Sequence, residues 1–197
     1  MAQVENLNLT FGISPDQRLR GAEILYEAFD HILCPMFGSR ELALEYFSGN
    51  FVPEGIVSAT INGSVVGLAA LRYGEIEPVE FGFWRLVRHL GPRIMRFMLV
   101  GAVFVLTRQR EGELYIDMLA VDSEHRGMGI GGRIMEFVLN FARDEGFAAV
   151  GLHVIDSSKR ARKFYESWGF EERGYTRIFP WDRILGFKGA HDMFREF

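Results

Sequence analysis

Apolar residues along the chain recur in two periods, and the switches between them mark out strands and helices. Leu7 to Phe11 reads as a short strand, and Ser14-Pro15 as a helix start with serine at the cap and proline in the first turn. Leu19, Ala22, Ile24, Leu25, Ala28 and Phe29 follow at helical spacing, and a second helix is expected from about Glu41 to Phe47. Ile56 to Ile61 and Val65 to Leu71 flank Asn62-Gly63-Ser64. Asn-Gly tolerates the positive φ of a tight turn, so these two segments predict an antiparallel hairpin.

Further on, Leu114 to Val121 is an apolar strand. It gives way to a helix from Gly129 to Glu145 with Ile130, Ile134, Phe137, Val138 and Phe141 on one stripe and a stop at Gly146. Phe147 to Ile155 predicts another strand. Ser157 or Ser158 then caps a helix whose Ala161, Phe164, Tyr165 and Trp168 fall at i, i+3, i+4 and i+7 before Gly169. Phe170 to Thr176 and His191 to Phe197 supply two more short strands, and no repeat interrupts the series.

Residues 74–112 break this rhythm and read as a helical insertion. Between Phe81 and Arg110 lie six arginines (Arg85, Arg88, Arg93, Arg96, Arg108 and Arg110) and no acidic residue, with Gly91-Pro92 dividing two helices. The uninterrupted apolar run, Phe97 to Leu106, is ten residues. That is about half of a bilayer span, so no transmembrane segment is expected, and core packing or a subunit contact is favoured over a membrane-surface or acidic-ligand role.

Composition narrows the class. The chain has 197 residues, 48% hydrophobic and 24% charged, which fits one folded domain over 1–197. A net charge of −4 gives no whole-chain reason to expect nucleic acid as a partner. The single cysteine, Cys34, excludes an intramolecular disulfide and a multi-cysteine zinc site, so no metal is expected. Set among Ile32, Leu33 and Met36, it reads as a small core residue. The first thirty residues lack a basic stretch followed by an apolar stretch and a small-residue cleavage site, which makes a cytoplasmic location the expectation.

The candidate chemistry lies at Arg126-Gly127-Met128-Gly129-Ile130-Gly131, between the strand ending at Val121 and the helix that follows. Glycines let backbone approach a ligand, and a helix N-terminus offers unpaired N–H groups with partial positive charge; the pair suits a pyrophosphate. A P-loop would require Lys-Ser or Lys-Thr after the last glycine, but Gly132-Arg133-Ile134 follows. A dinucleotide fold would place its glycines early, in the spacing Gly-x-Gly-x-x-Gly; here they arrive late, as Gly127-x-Gly129-x-Gly131-Gly132.

The string Leu119 to Gly131 carries an R/Q-x-x-G-x-G/A core at Arg126, Gly129 and Gly131. It is followed at a fitting distance by strand Ala148 to Ile155, Ser158, and Phe164-Tyr165-Glu166-Ser167-Trp168-Gly169-Phe170. This pair of segments resembles the GNAT superfamily of acyl-CoA-dependent N-acetyltransferases, and the order of elements resembles the whole fold apart from the insertion. The resemblance implies an α/β fold with a mixed, mostly antiparallel sheet of six to seven strands flanked by helices. It implies acetyl-CoA as acyl donor, with Leu119, Ala120 and Val121 pairing with the pantetheine arm. It also implies that Arg126, Gly127, Met128, Gly129, Ile130, Gly131 and Gly132 cradle the pyrophosphate, with Ser158 where many relatives have asparagine touching the cofactor.

Tyr165 matches the position from which a phenol protonates the leaving thiolate, as a group of pKa about 10 can. The reaction implied is direct attack by a primary amine on the thioester carbon through a tetrahedral intermediate, with a base removing the amine's proton. Two residues are candidates for that base. Asp117 is a polar residue in an apolar strand, two positions before Leu119 and so expected on the same face. His153 sits on the neighbouring strand where some relatives carry a glutamate, and its pKa near 6.5 suits proton traffic. The acceptor is a small-molecule or protein amine. A rival reading is a non-catalytic CoA-binding module whose insertion docks a partner, and burial of the apolar run against a second copy would make a homodimer.

Overall fold

In the computed structural model, residues 6–80, 82–95, 97–98, 110–179 and 182–197 are described. Seven strands form one sheet: β1 (Leu7–Phe11), β2 (Ile56–Ile61), β3 (Ser64–Arg72), β4 (Glu113–Val121), β5 (Ala149–Ile155), β6 (Glu171–Arg177) and β7 (Gly189–Glu196). Their order is β1-β2-β3-β4-β5-β7-β6. Neighbours are antiparallel except β4 and β5, which are parallel because a crossover helix joins them. The β2–β3 hairpin closes through Asn62 and Gly63, at φ 51° and 81°, as the Asn-Gly pair predicts.

Helices α1 (Arg18–Phe37) and α2 (Arg40–Asn50) cover one face of the sheet. There Ile24, Leu25, Phe37 and Tyr46 pack with Leu68, Ala70 and Ala120. On the opposite face the crossover helix (Ile130–Asp144) and a shorter helix (Lys159–Ser167) bury Ile130, Ile134, Val138 and Tyr165 against Ala69, Leu71, Leu114 and Leu152. Helix α1 extends beyond the apolar stripe from Leu19 to Phe29: the backbone leaves helical geometry at Phe29 (φ −125°, ψ 23°) and then continues through Pro35 to a left-handed Gly38. Cys34 corrects an expectation, since it is exposed rather than a core residue.

The insertion begins with α3 (Phe83–Leu90), which ends at Gly91-Pro92 as predicted. Leu86, Leu90 and Phe97 are buried in the same cluster as Phe37 and Phe47, with the Phe37 and Phe97 rings 5.3 Å apart. His89 Nε2 also lies 2.8 Å from the Leu42 carbonyl on α2. Its described part is therefore core of the α1–α2 face, at about 1.5–3 kcal/mol for each large apolar side chain buried. The rest of the apolar run, 99–106, and Arg96 and Arg108 lie outside the described residues. Among the described residues no helix is long and apolar enough to cross a membrane.

The crossover helix is α4 and the helix after β5 is α5. A single short turn of helix, α6 (Asp182–Leu185), which the sequence pattern does not predict, joins β6 to β7.

Candidate active site

The parallel ladder between β4 and β5 is short. It pairs Glu113 to Ile116 with Ala149 to Leu152 and stops there. Beyond that point β4 continues to Val121 along β3, and β5 continues to Ile155 along β7. The facing edges of the two strands therefore part at Asp117 and His153. Leu119, Ala120 and Val121 lie on this unpaired edge.

The turn after β4 is tied down by Asp122, which is 3% exposed. Its carboxylate accepts from Arg20 on α1, from the Glu124 amide at 3.3 Å and from His125 at 3.2 Å. Burial disfavours the charge, but the Glu124 amide, Arg20 and His125 together hold this carboxyl below its ordinary range. Gly127 and Gly129 both take φ 84°, a left-handed conformation that favours glycine. Gly129 is then the N-cap of α4, with no side-chain capping bond and no acidic residue in the first turn. The first amides of α4 are thus left without a side-chain acceptor, the condition for anion binding.

Gly131 is not forced by crowding within the chain, since a Cβ there meets nothing nearer than Val121 Cγ2 at 3.6 Å. Close approach of α4 to the sheet is instead permitted by Gly67 on β3, whose Cβ would meet the Ala120 carbonyl and Ile134 Cδ1 at 3.1 Å. Ile130 is 1% exposed, so only its amide faces the loop, whereas Met128 is 49% exposed. Arg126 turns back on its own strand and donates from Nε to the Val121 carbonyl at 3.1 Å. Ser158 precedes α5, but its hydroxyl makes no capping bond.

The three predicted catalytic side chains do not share one face. Tyr165 belongs to the α4–α5 side, packed against Phe164 and Phe170, and burial pushes its phenol up to about 12. Asp117 and His153 point to the other side. The expectation that Asp117 shares a face with Leu119 fails because of a β-bulge: Leu71 pairs with Ile116 and Ala70 with Met118, leaving Asp117 as the extra residue. Ile116 and Leu119 both face α4, while Asp117 bonds to Arg72 on the α1 side, Arg72 Nη2 donating at 2.7 Å. Burial is the main influence on this carboxyl, with Glu77 adding and Arg72 opposing, and its pKa rises to about 6.

Tyr115, which the sequence reading passed over, completes the group. It alternates with Leu114 and Ile116 and so turns to the α1 side, where its ring lies 5.4 Å from that of His153 and under the Arg72 guanidinium at 5.2 Å. Tyr115 Oη and His153 Nδ1 are both buried without a hydrogen-bond partner among the described residues. His153 is held below its ordinary pKa, first by burial and further by Arg173 and Arg72, with Asp192 opposing. The signal that would have found Tyr115 was a phenol one residue from the end of the β4–β5 ladder, and that end is not legible without pairing.

Residues 25–170 match the Acetyltransferase (GNAT) family. The chain is 37% identical over 82 residues to human N-acetyltransferase 8B, covering 42% of this chain and 36% of that protein. It is 38% identical over 93 residues to Probable N-acetyltransferase san of Drosophila melanogaster, covering 43% and 50%. The matches thus span a third to half of these relatives' length. The fold is similar to that of an N-acetyltransferase from Staphylococcus aureus Mu50, with TM-score 0.69, 14% identity and coverage of 95% of this chain and 100% of the other. It is also similar to that of Arabidopsis thaliana Naa50 in complex with a bisubstrate analogue, with TM-score 0.56, 18% identity and coverage of 98% and 99%. The parted parallel strands, the uncapped helix behind a glycine turn and the family match over most of the chain agree: the protein belongs to the Acetyltransferase (GNAT) family.

Proposed function

We propose that this chain is an N-acetyltransferase that moves an acetyl group from acetyl-CoA to a primary amine by direct attack. The observation that carries the reading is the parting of β4 and β5 at Ile116 and Leu152, beside a helix N-terminus that has no capping side chain. Acetyl-CoA supplies the activated thioester. Its amide-bearing arm suits the unpaired edge at Leu119, Ala120 and Val121, and its pyrophosphate suits the amides from Gly127 to Gly132.

Both sides of the sheet contribute proton handling at the parted edge. On the α1 side His153, kept neutral by burial, holds a lone pair at neutral pH, and Tyr115, with its ring 5.4 Å away and its phenol unbonded among the described residues, is suited to pass a proton from the acceptor amine. Asp117 is a second acceptor above about pH 6. On the α5 side Tyr165, whose phenol stays protonated throughout the working range, is suited to protonate the departing thiolate. The division gives the donor thiol and the acceptor amine opposite approaches. A protein N-terminus is the favoured acceptor over a small amine, because Arabidopsis Naa50 is described with a bisubstrate analogue, CoA-Ac-MVNAL.

The test is thiol release from acetyl-CoA across a panel of peptides with free N-termini, lysine peptides and small amines. Amine-dependent release is expected, strongest with peptides. Protection from thermal unfolding by CoA with no thiol released by any amine would make the chain a binding module instead.

A further inference from the structure

Three strands, β4, β6 and β7, are laced together by a buried charged network that the proposed reaction does not use. Arg173 on β6, 9% exposed, reaches across the sheet to Glu113 on β4, with Nη1 and Nη2 donating to the two carboxylate oxygens at 2.6 and 3.0 Å. Its Nε donates to Asp192 Oδ2 on β7 at 2.8 Å. The crossing is possible because position 151 on β5 is glycine: a Cβ there would meet Tyr115 at 3.0 Å and Arg173 Nη2 at 3.4 Å. Glu113 is the largest influence keeping Arg173 protonated, ahead of the opposing effect of burial.

The network leaves one oxygen over. Asp192 Oδ1 is buried without a hydrogen-bond partner among the described residues, and it lies 4.0 Å from His153 Nε2, an ion-pair distance rather than a hydrogen bond. Asp192 and His153 are paired across β7 and β5, so the two side chains share a face. A buried polar atom left unsatisfied calls for an explanation. Here it faces Nε2, which leaves Nδ1 buried and, among the described residues, unbonded on a ring whose centroid lies 5.4 Å from that of Tyr115.

We infer that Asp192, locked by Arg173, is a positioning residue for His153: it keeps the imidazole proton on Nε2, leaves the Nδ1 lone pair free, and balances the charge when Nδ1 gains a proton. The inference rests on His153 as proton acceptor in the proposed reaction. The carboxylate that faces His153 is that of Asp192, so uptake of one proton at Nδ1 sets a cation against this anion across the two strands, while Glu113 is taken up by Arg173. The proton arrives from the acceptor amine at Nδ1 and leaves from the same atom to solvent; Nε2 keeps its own throughout. The other charged groups facing His153 are Arg173 from β6 and Arg72 from β3, the latter already paired with Asp117 of β4.

The experiment is nitrogen-15 NMR of histidine-labelled full chain, with the His153 signals assigned by comparison with His153→Gln. The wild-type spectrum is expected to show the neutral imidazole protonated on Nε2. In Asp192→Asn the titration midpoint of His153 moves down, the tautomer preference is lost, and kcat falls on the order of tenfold with KM for acetyl-CoA unchanged. Glu113→Gln also loosens Arg173 but leaves the Asp192 charge facing His153, so the midpoint stays put. An Nδ1-protonated tautomer in the wild type overturns the inference, even if Asp192→Asn does not fold. So does a folded Asp192→Asn with an unchanged midpoint. These readouts do not depend on turnover, so a chain with no transferase activity but the expected tautomer and midpoint would refute the catalytic reading alone.

Discussion

Asp117→Asn isolates the most perturbed carboxyl at the site. Asparagine keeps an Oδ1 that accepts from Arg72 Nη2, so the substitution removes the charge and little of the shape. The folded pKa, about 6, lies above the ordinary 3.8, which means the folded state holds this proton longer than the unfolded chain does. The associated stability is fully present below pH 4 and is lost as pH rises through 6. At 1.36 kcal/mol per pH unit the loss reaches about 3 kcal/mol once the carboxylate is ionised. Between pH 5 and pH 7.5 the linkage relation gives about 1.4 kcal/mol of it. Urea unfolding of both proteins at the two pH values measures this. With an m-value of about 2 kcal/mol/M, the wild-type midpoint should fall by roughly 0.7 M more than that of Asp117→Asn over this interval. Arg72 is charged at both pH values, so the penalty of losing its counter-charge cancels in the comparison. Parallel pH dependence in the two proteins would refute the raised pKa and remove Asp117 as a base near neutrality.

Other expected outcomes follow from the same geometry. Tyr165→Phe should lower kcat far more than it weakens acetyl-CoA binding, measured by steady-state kinetics beside a thermal-shift titration; unchanged turnover would remove the general-acid role. Gly151→Ala forces a methyl into the slot shared by Tyr115 and Arg173 and should destabilise the fold by about 1–3 kcal/mol in urea titration, since overpacking has no room to relax. Gly129→Ala places a Cβ at φ 84°, at about 1–2 kcal/mol, and should reduce protection by CoA in thermal unfolding more than it reduces the melting temperature of the free protein.

Local signals were enough for most of the fold. The Asn62-Gly63 turn, the stops at Gly146 and Gly169 and the stripe from Ile130 to Phe141 each depend on residues a few positions apart, so they could be read directly from the chain. Long-range pairing hid the rest. Asp117 and Leu119 sit on opposite faces because Ala70 and Leu71 on another strand skip a residue, and period-two reasoning on β4 alone has no access to that skip. Tyr115 looked like one more apolar strand position until β5 brought His153 beside it. Arg173 and Glu113, sixty positions apart, gave no sign in sequence that Gly151 would open a path between them. Cys34 differs for a local reason: in α1 the buried face carries Ile32, Leu33 and Phe37, and at about 100° per residue Cys34 turns away from it, so apolar neighbours in sequence do not make it a core residue.

The central claim is that the parted edge between β4 and β5 is the reaction centre, with Tyr115 and His153 beside it taking the amine's proton. Thiol release from acetyl-CoA with a peptide amine, compared between the wild type and Tyr115→Phe under saturating donor, tests it most directly. The expected result is amine-dependent release by the wild type, and a loss on the order of a hundredfold in Tyr115→Phe with CoA protection against unfolding retained. Equal release by the two proteins would contradict the account.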